Sequence, residues 1–249
     1  MGMDVTYHPI DTGWAEAAFL APLAAAGPAR ARAARAAARR AGLGRGATDL
    51  YLRVLSAAAS RGDPSEPFEA RLGPALCAAQ SCFGPYWYAR GSSLTGLLAR
   101  PGAPAGLAAD LGGEPALRHL PPNPRDGRIT QSYRSGAWLP AASVARLLAA
   151  LDGDPAAAAA FAAEFPGGLA DVARAALAWA RDRGCGVMEA ADLVVPDPVD
   201  PRRTEAACWL ANLDLAGVRL YAAEAERQLR EAGAPYDAMR AGAPRWEDL

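Results

Sequence analysis

The chain contains no lysine: every one of its 26 Lys-plus-Arg cations is arginine. That absence excludes reactions built on an amine side chain, among them Schiff-base nucleophiles, the lysine anchor of pyridoxal phosphate and the phosphate lysine of P-loop or kinase-type sites. Long apolar runs are missing too. No window reaches the ~18 uninterrupted apolar residues of a membrane span, and the Ala-rich stretch around Phe161 is broken by Glu164 and Pro166. The two histidines, His8 and His119, lie far apart, and the four cysteines, Cys77, Cys82, Cys185 and Cys208, show no C-x₂-C spacing, so no metal is expected. No G-x-S-x-G elbow is present, since Ser92-Ser93 has the wrong glycine spacing. The start, MGMDVTYHPI, has neither a basic opening nor an apolar core, so no secretory signal is expected, and the location predicted is cytoplasmic with reduced thiols. A net charge of −1 leaves no overall footprint for nucleic acid or an anionic membrane, and neither is an expected partner.

What is present is an Ala, Gly, Pro and Arg bias of bacterial, high-GC character, in which arginine often stands where another chain carries lysine. Alanine buries little, so the core must rest on leucine, valine and the aromatics. The pattern predicts a helix-dominant α+β fold, one domain over residues 1–249, with a small sheet of short strands. Its sub-structure is a helical part (1–82), a strand- and loop-rich centre (83–140) and a second helical part (141–249). Val5–Ile10 alternates and contains Pro9, which suits an edge strand. Helices are expected over Trp14–Ala26, Ala29–Ala41, from Thr48 or Asp49 onward, over Pro67–Cys82 with an interruption near Gly73-Pro74, from Pro140 or Ser143 to Leu151, from Asp154-Pro155, and over Leu169–Arg183, Thr204–Leu210 and Leu220–Ala232. Strands are expected at Tyr86–Ala89, Arg128–Tyr133 and Val187–Val195, with a weakly structured tail from Gly233.

Two basic features stand out. On a helical wheel Arg32, Arg35 and Arg39 fall within about 60° of one another, but no aromatic residues interleave with them, so a solvated face with alanines packed inward is the expectation. The centre is richer. Arg118, Arg125, Arg128 and Arg134 face only Asp126 in charge, beside Tyr133, Trp138 and the earlier run Tyr86, Trp87, Tyr88 and Arg90. Tyr, Trp and Arg dominate binding hot spots through rigid area and planar hydrogen-bonding forks. The candidate binding set is therefore Tyr86, Tyr88, Arg90, Ser92, Arg128, Tyr133, Arg134 and Trp138. Gly91-Ser92-Ser93 also reads as a turn into a helix cap before Leu94, whose free N–H groups suit an anion.

The strings PYWYARGSSLTG (85–96), GRITQSYRSGAWLP (127–140) and CGVMEAADLVVP (185–196) resemble an uncharacterised family of bacterial cytosolic proteins. The likeness spans the middle half of the chain and implies no activity; by analogy it suggests an immunity-type or accessory protein. The leading expectation is a soluble binding protein that engages a protein partner or small anionic ligand through its centre, needing no cofactor. A second expectation comes from a likeness to ADP-ribosyltransferases of the arginine–serine–glutamate type. It implies that Arg90 binds a phosphate of NAD, Ser132 supports the ribose and Glu189 stabilises the oxocarbenium-like centre. The chain departs from that pattern: Ser132 lies in TQS, and Val187 stands where an acid or Gln is usual.

Overall fold

The computed structural model describes residues 3–60, 72–107 and 138–248. Seven strands are formed among them: β1 (Asp4–Ile10), β2 (Tyr86–Arg90), β3 (Trp138–Leu139), β4 (Gly186–Ala191), β5 (Val194–Val195), β6 (Glu205–Ala206) and β7 (Leu213–Asp214). β5 and β6 pair apart as a ribbon, and the others make one sheet in the order β3-β4-β1-β2-β7. All its pairings are antiparallel except β2 with β7.

β1 is thus the middle strand, not the edge that Pro9 suggested. The ladder explains the exception. Met3 O accepts from Gly91 N and Asp4 O accepts from Asp192 N. Alternation therefore turns the backbone groups of residues 5, 7 and 9 toward β2. The β1–β2 register ends at Tyr7 opposite Trp87, so Pro9 lies beyond the last pair, opposite Pro85, where no N–H is required.

Successive strand residues point to opposite faces, and both faces here are apolar because both are covered. Tyr86, Tyr88, Met188, Ala190 and Ile10 face one core, completed by the N-terminal helices. These are α1 (residues 12–24, in the parts Thr12–Trp14, Ala15–Leu20 and Ala21–Ala24), α2 (Gly27–Arg40), α3 (Arg45–Ser60) and α4 (Gly73–Gln80). The middle part of α1 has π-type hydrogen bonding, and the Tyr51 hydroxyl donates to the Ala18 carbonyl there. In α2 the buried residues are Ala34, Ala37 and Ala38, while Arg32, Arg35 and Arg39 are exposed. Val5, Tyr7, Trp87, Ala89 and Val187 face the second core. It is covered by α6 (Ala141–Gly153), α7 (Pro155–Glu164) and α8 (Leu169–Asp182), with the short α5 (Leu94–Leu97) at its rim. α9 (Ala216–Glu231) and α10 (Tyr236–Arg240) close the chain. A Cβ on Gly217 would overlap the Tyr88 carbonyl oxygen, so glycine is what lets α9 lie directly on β2.

Several boundaries differ from the pattern-based reading. α3 begins at Arg45, ahead of the proposed caps. α4 starts at Gly73 with Pro74 in its first turn, at the place where the pattern puts a break. The stretch 187–195 is two strands, because Asp192 takes a positive φ of 56° between them. Residues 204–210 hold β6 instead of a helix, and the tail contains α10 and a buried Trp246. The strand expected at Arg128–Tyr133 lies outside the described residues, as do residues 67–71 of the expected fourth helix.

Candidate functional site

Two polar constellations sit on opposite faces of the sheet. On the second-core face, Glu189 of β4 pairs in register with Tyr7 of β1. Its carboxylate accepts from the Leu94 N–H at 2.5 Å and the Thr95 hydroxyl at 3.2 Å. Glu164, at the end of α7, accepts from the Ser93 N–H at 2.9 Å and from Arg100 Nε at 2.8 Å. Ser93 caps α5 by accepting from the Gly96 N–H, and the Tyr7 hydroxyl donates to the Ser92 carbonyl. The turn Gly91-Ser92-Ser93 is thus a helix start whose N–H groups hold anions, and the anions are the protein's own. Burial pushes the Glu189 carboxyl up to about 7; the Leu94 and Thr95 hydrogen bonds oppose this, and the nearby Glu164 charge adds to it.

On the other face, Arg90 ends β2. Its Nη1 donates to Asp4 Oδ1 at 2.7 Å, and its guanidinium lies 4.4 Å from the centre of the Tyr221 ring on α9. The Tyr88 hydroxyl donates to the same Asp4 oxygen. Burial, with the Asp4 bond and charge, raises the Tyr88 phenol far above its usual range, so it keeps its proton. Arg90 also lines a cavity of about 610 Å³ with Pro166, Leu169, Leu220, Tyr221, Glu224 and Arg227 among its walls. Deeper on this face, His8 stacks on Tyr86 with ring centres 4.9 Å apart. Gln80 gives its amide N–H to Pro85 O, so its Oε1 takes the proton of His8 Nδ1 at 3.0 Å. His8 Nε2 then accepts from the Thr6 hydroxyl at 2.9 Å, in competition with the Ala190 carbonyl for that proton. Burial lowers His8 to about 4 against the raising effect of the Gln80 bond, so the imidazole is neutral.

The candidate residues separate sharply. Tyr86 and Tyr88 are fully buried, and Trp87 and Trp138 are 5% and 8% exposed. They form core instead of a displayed patch, as expected of the heaviest side chains in an alanine-rich chain. Ser92 is buried and serves through its carbonyl. Arg90 lines the cavity beside Tyr221. Arg128, Ser132, Tyr133 and Arg134 lie outside the described residues. Arg90 and Glu189 are not brought together: Arg90 registers with Asp4 and Glu189 with Tyr7, adjacent parities of β1 that point to opposite faces. A shared NAD pocket requires them on one side.

Pattern reading missed Asp4, Tyr221 and Glu164. Asp4 carries a weak signal, as an acid on an inward-facing position of an alternating strand. Glu164 stands alone in a long alanine run. Nothing local marks Tyr221. Among the described residues no group of three His, Cys, Asp or Glu side chains is placed to hold a metal, all four cysteines are free thiols, and no helix is long and apolar enough to cross a membrane. Fold and site together define a helix-dominant α+β protein with an arginine-lined cavity beside the end of β2. No protein-family model matches the chain, and no curated protein or solved structure matches it.

Proposed function

We propose that this is a binding protein without chemistry of its own, and that a small ligand sits in the cavity over Arg90 and Tyr221. The observation that carries the reading is the combination at Arg90. A charged fork is held in place by Asp4 and Tyr221, yet its side chain stays 30% exposed beside a concave wall of Leu169 and Leu220. Ligand sites are typically of this kind, a mostly apolar hollow with a few fixed polar groups. The opposite placement of Arg90 and Glu189, and the use of both Glu189 oxygens by α5, favour a binder over a nucleotide-using enzyme.

The test is a thermal-shift screen of nucleotides, NAD, sugar phosphates, carboxylic acids and lysate fractions, run on the wild type and on Leu220→Trp. Stabilisation grows with the logarithm of ligand concentration over Kd. A small-molecule shift that disappears in Leu220→Trp is expected. Stabilisation by a lysate protein alone, unchanged in that variant, would overturn the cavity as the seat and return the reading to a partner-binding surface.

A further inference from the structure

We infer that the cavity over Arg90 selects a small monocarboxylic acid with an unbranched apolar body; the inference rests on the cavity being the ligand seat. Arg90 commits Nη1 to Asp4. The Tyr88 hydroxyl lies beside the same guanidinium, and among the described residues no acceptor stands in bonding geometry to its Nε or Nη2. These two N–H groups form the parallel edge of the guanidinium that fits the two oxygens of one carboxylate. The Tyr221 ring, centred 4.4 Å from the guanidinium carbon, restrains the side chain and removes part of the ordering cost of binding.

Charge around the cavity decides between anions. Arg90 is neutralised by Asp4, and Arg227 by Glu224 at 2.5 Å and Glu231 at 2.6 Å. The two arginines therefore face three carboxylates, a balance of one negative charge. That negative balance opposes any anion, a phosphate dianion about twice as strongly as a carboxylate monoanion. A carboxylate monoanion asks for one fork, and one is free. The remaining wall, Pro166, Leu169, Leu220 and Ala223, offers no hydrogen-bonding side chain, which suits methylene groups. A volume of about 610 Å³ falls inside the range of ~300–1,000 Å³ that small-molecule sites occupy.

Octanoate, octanol and octyl phosphate, titrated calorimetrically into the full chain at pH 7.5, separate the possibilities. Octanoate should bind at least tenfold more tightly than octanol or octyl phosphate. From butanoate to octanoate, affinity should rise by about fourfold per methylene. Arg90→Gln should bring octanoate down to the level of octanol. Should that variant fail to fold for want of the Asp4 partner, Leu220→Trp leaves the ion pair intact and should weaken octanoate at least tenfold. Octanol equal to octanoate, or octyl phosphate tighter than both, with the binding lost in Leu220→Trp, would overturn the acid assignment and keep the cavity as a seat. Binding of a different screened compound, lost in Leu220→Trp while octanoate fails to bind, would do the same. If no compound of the series or the screen responds to Leu220→Trp, both the acid assignment and the ligand seat fall.

Discussion

Glu189 and His8, buried on opposite faces of the sheet, should tilt stability with pH in opposite directions. Burial raises Glu189 from an ordinary carboxyl value of 4.5 to about 7. Between those values the native state holds a proton that the unfolded chain has lost, so its contribution is complete below pH 4.5 and is lost as pH rises toward 7. At 1.36 kcal/mol per pKa unit the loss is about 3 kcal/mol. Burial lowers His8 from 6.5 to about 4. There the unfolded chain binds the extra proton, so stability falls as pH drops from 6.5 toward 4, again by about 3 kcal/mol. In the wild type the two slopes largely cancel between pH 4.5 and 6.5. Single variants uncover them. The stability of Glu189→Gln relative to wild type should climb by about 3 kcal/mol between pH 4.5 and 7. That of His8→Gln should climb by a similar amount as pH falls from 6.5 to 4. For a chain of this size each difference corresponds to roughly 6–12 °C in Tm. Melting curves of the three proteins at half-unit pH steps measure it. Differences that stay constant with pH would refute the reasoning, because a group exchanging protons with solvent at its ordinary pKa adds no slope of its own.

Three further outcomes follow from packing and charge. Gly217→Ala should cost about 2 kcal/mol or more in a urea titration, since the new Cβ meets the Tyr88 backbone carbonyl and α9 has to lift from β2. Asp4→Asn should cost on the order of 2 kcal/mol by the same assay, because it removes the charge that holds Arg90 and leaves Tyr88 a neutral, weaker acceptor. Thiol titration at pH 8 should find no rapidly reacting cysteine in the native protein and all four after denaturation. All four are buried, with burial raising Cys82 to about 11 and Cys208 to about 12.

The elements legible in the sequence are those whose pattern is local. Tyr86–Ala89 alternates and became β2; α2, α6, α7 and α8 follow helical spacing, and Asp154 caps α7 through the Ala156 N–H as its place before Pro155 suggested. What escaped depends on distant partners. The segment Thr204–Leu210 has helical composition, yet Glu205 and Ala206 pair with Val195 and Val194 and are held extended. The Val187–Val195 run contains no glycine or proline, so the break at Asp192 has no local mark. Leu213–Asp214 is a strand only because Tyr86 and Trp87 lie beside it. The site divides in the same way. Arg90 was visible because a cation ending an aromatic strand is conspicuous. The groups that give it meaning, Asp4 and Tyr221, come from the two ends of the chain. The anion-holding quality of Gly91-Ser92-Ser93 was legible; that Glu164 and Glu189 already satisfy it was not, since both approach from elsewhere in the fold.

The most direct test of the ligand seat is the ¹⁵N–¹H spectrum of the arginine Nε groups during an octanoate titration, with the Arg90 resonance assigned from its absence in Arg90→Lys. Arginine Nε–H groups that donate to a bound carboxylate shift downfield. The predicted result is a saturable downfield shift of Arg90 Nε, absent when octanol replaces octanoate and absent in Leu220→Trp. An Arg90 resonance that stays in place while octanoate binds elsewhere, or one that moves equally with octanol, would contradict the arginine-lined cavity as the place where this protein meets its ligand.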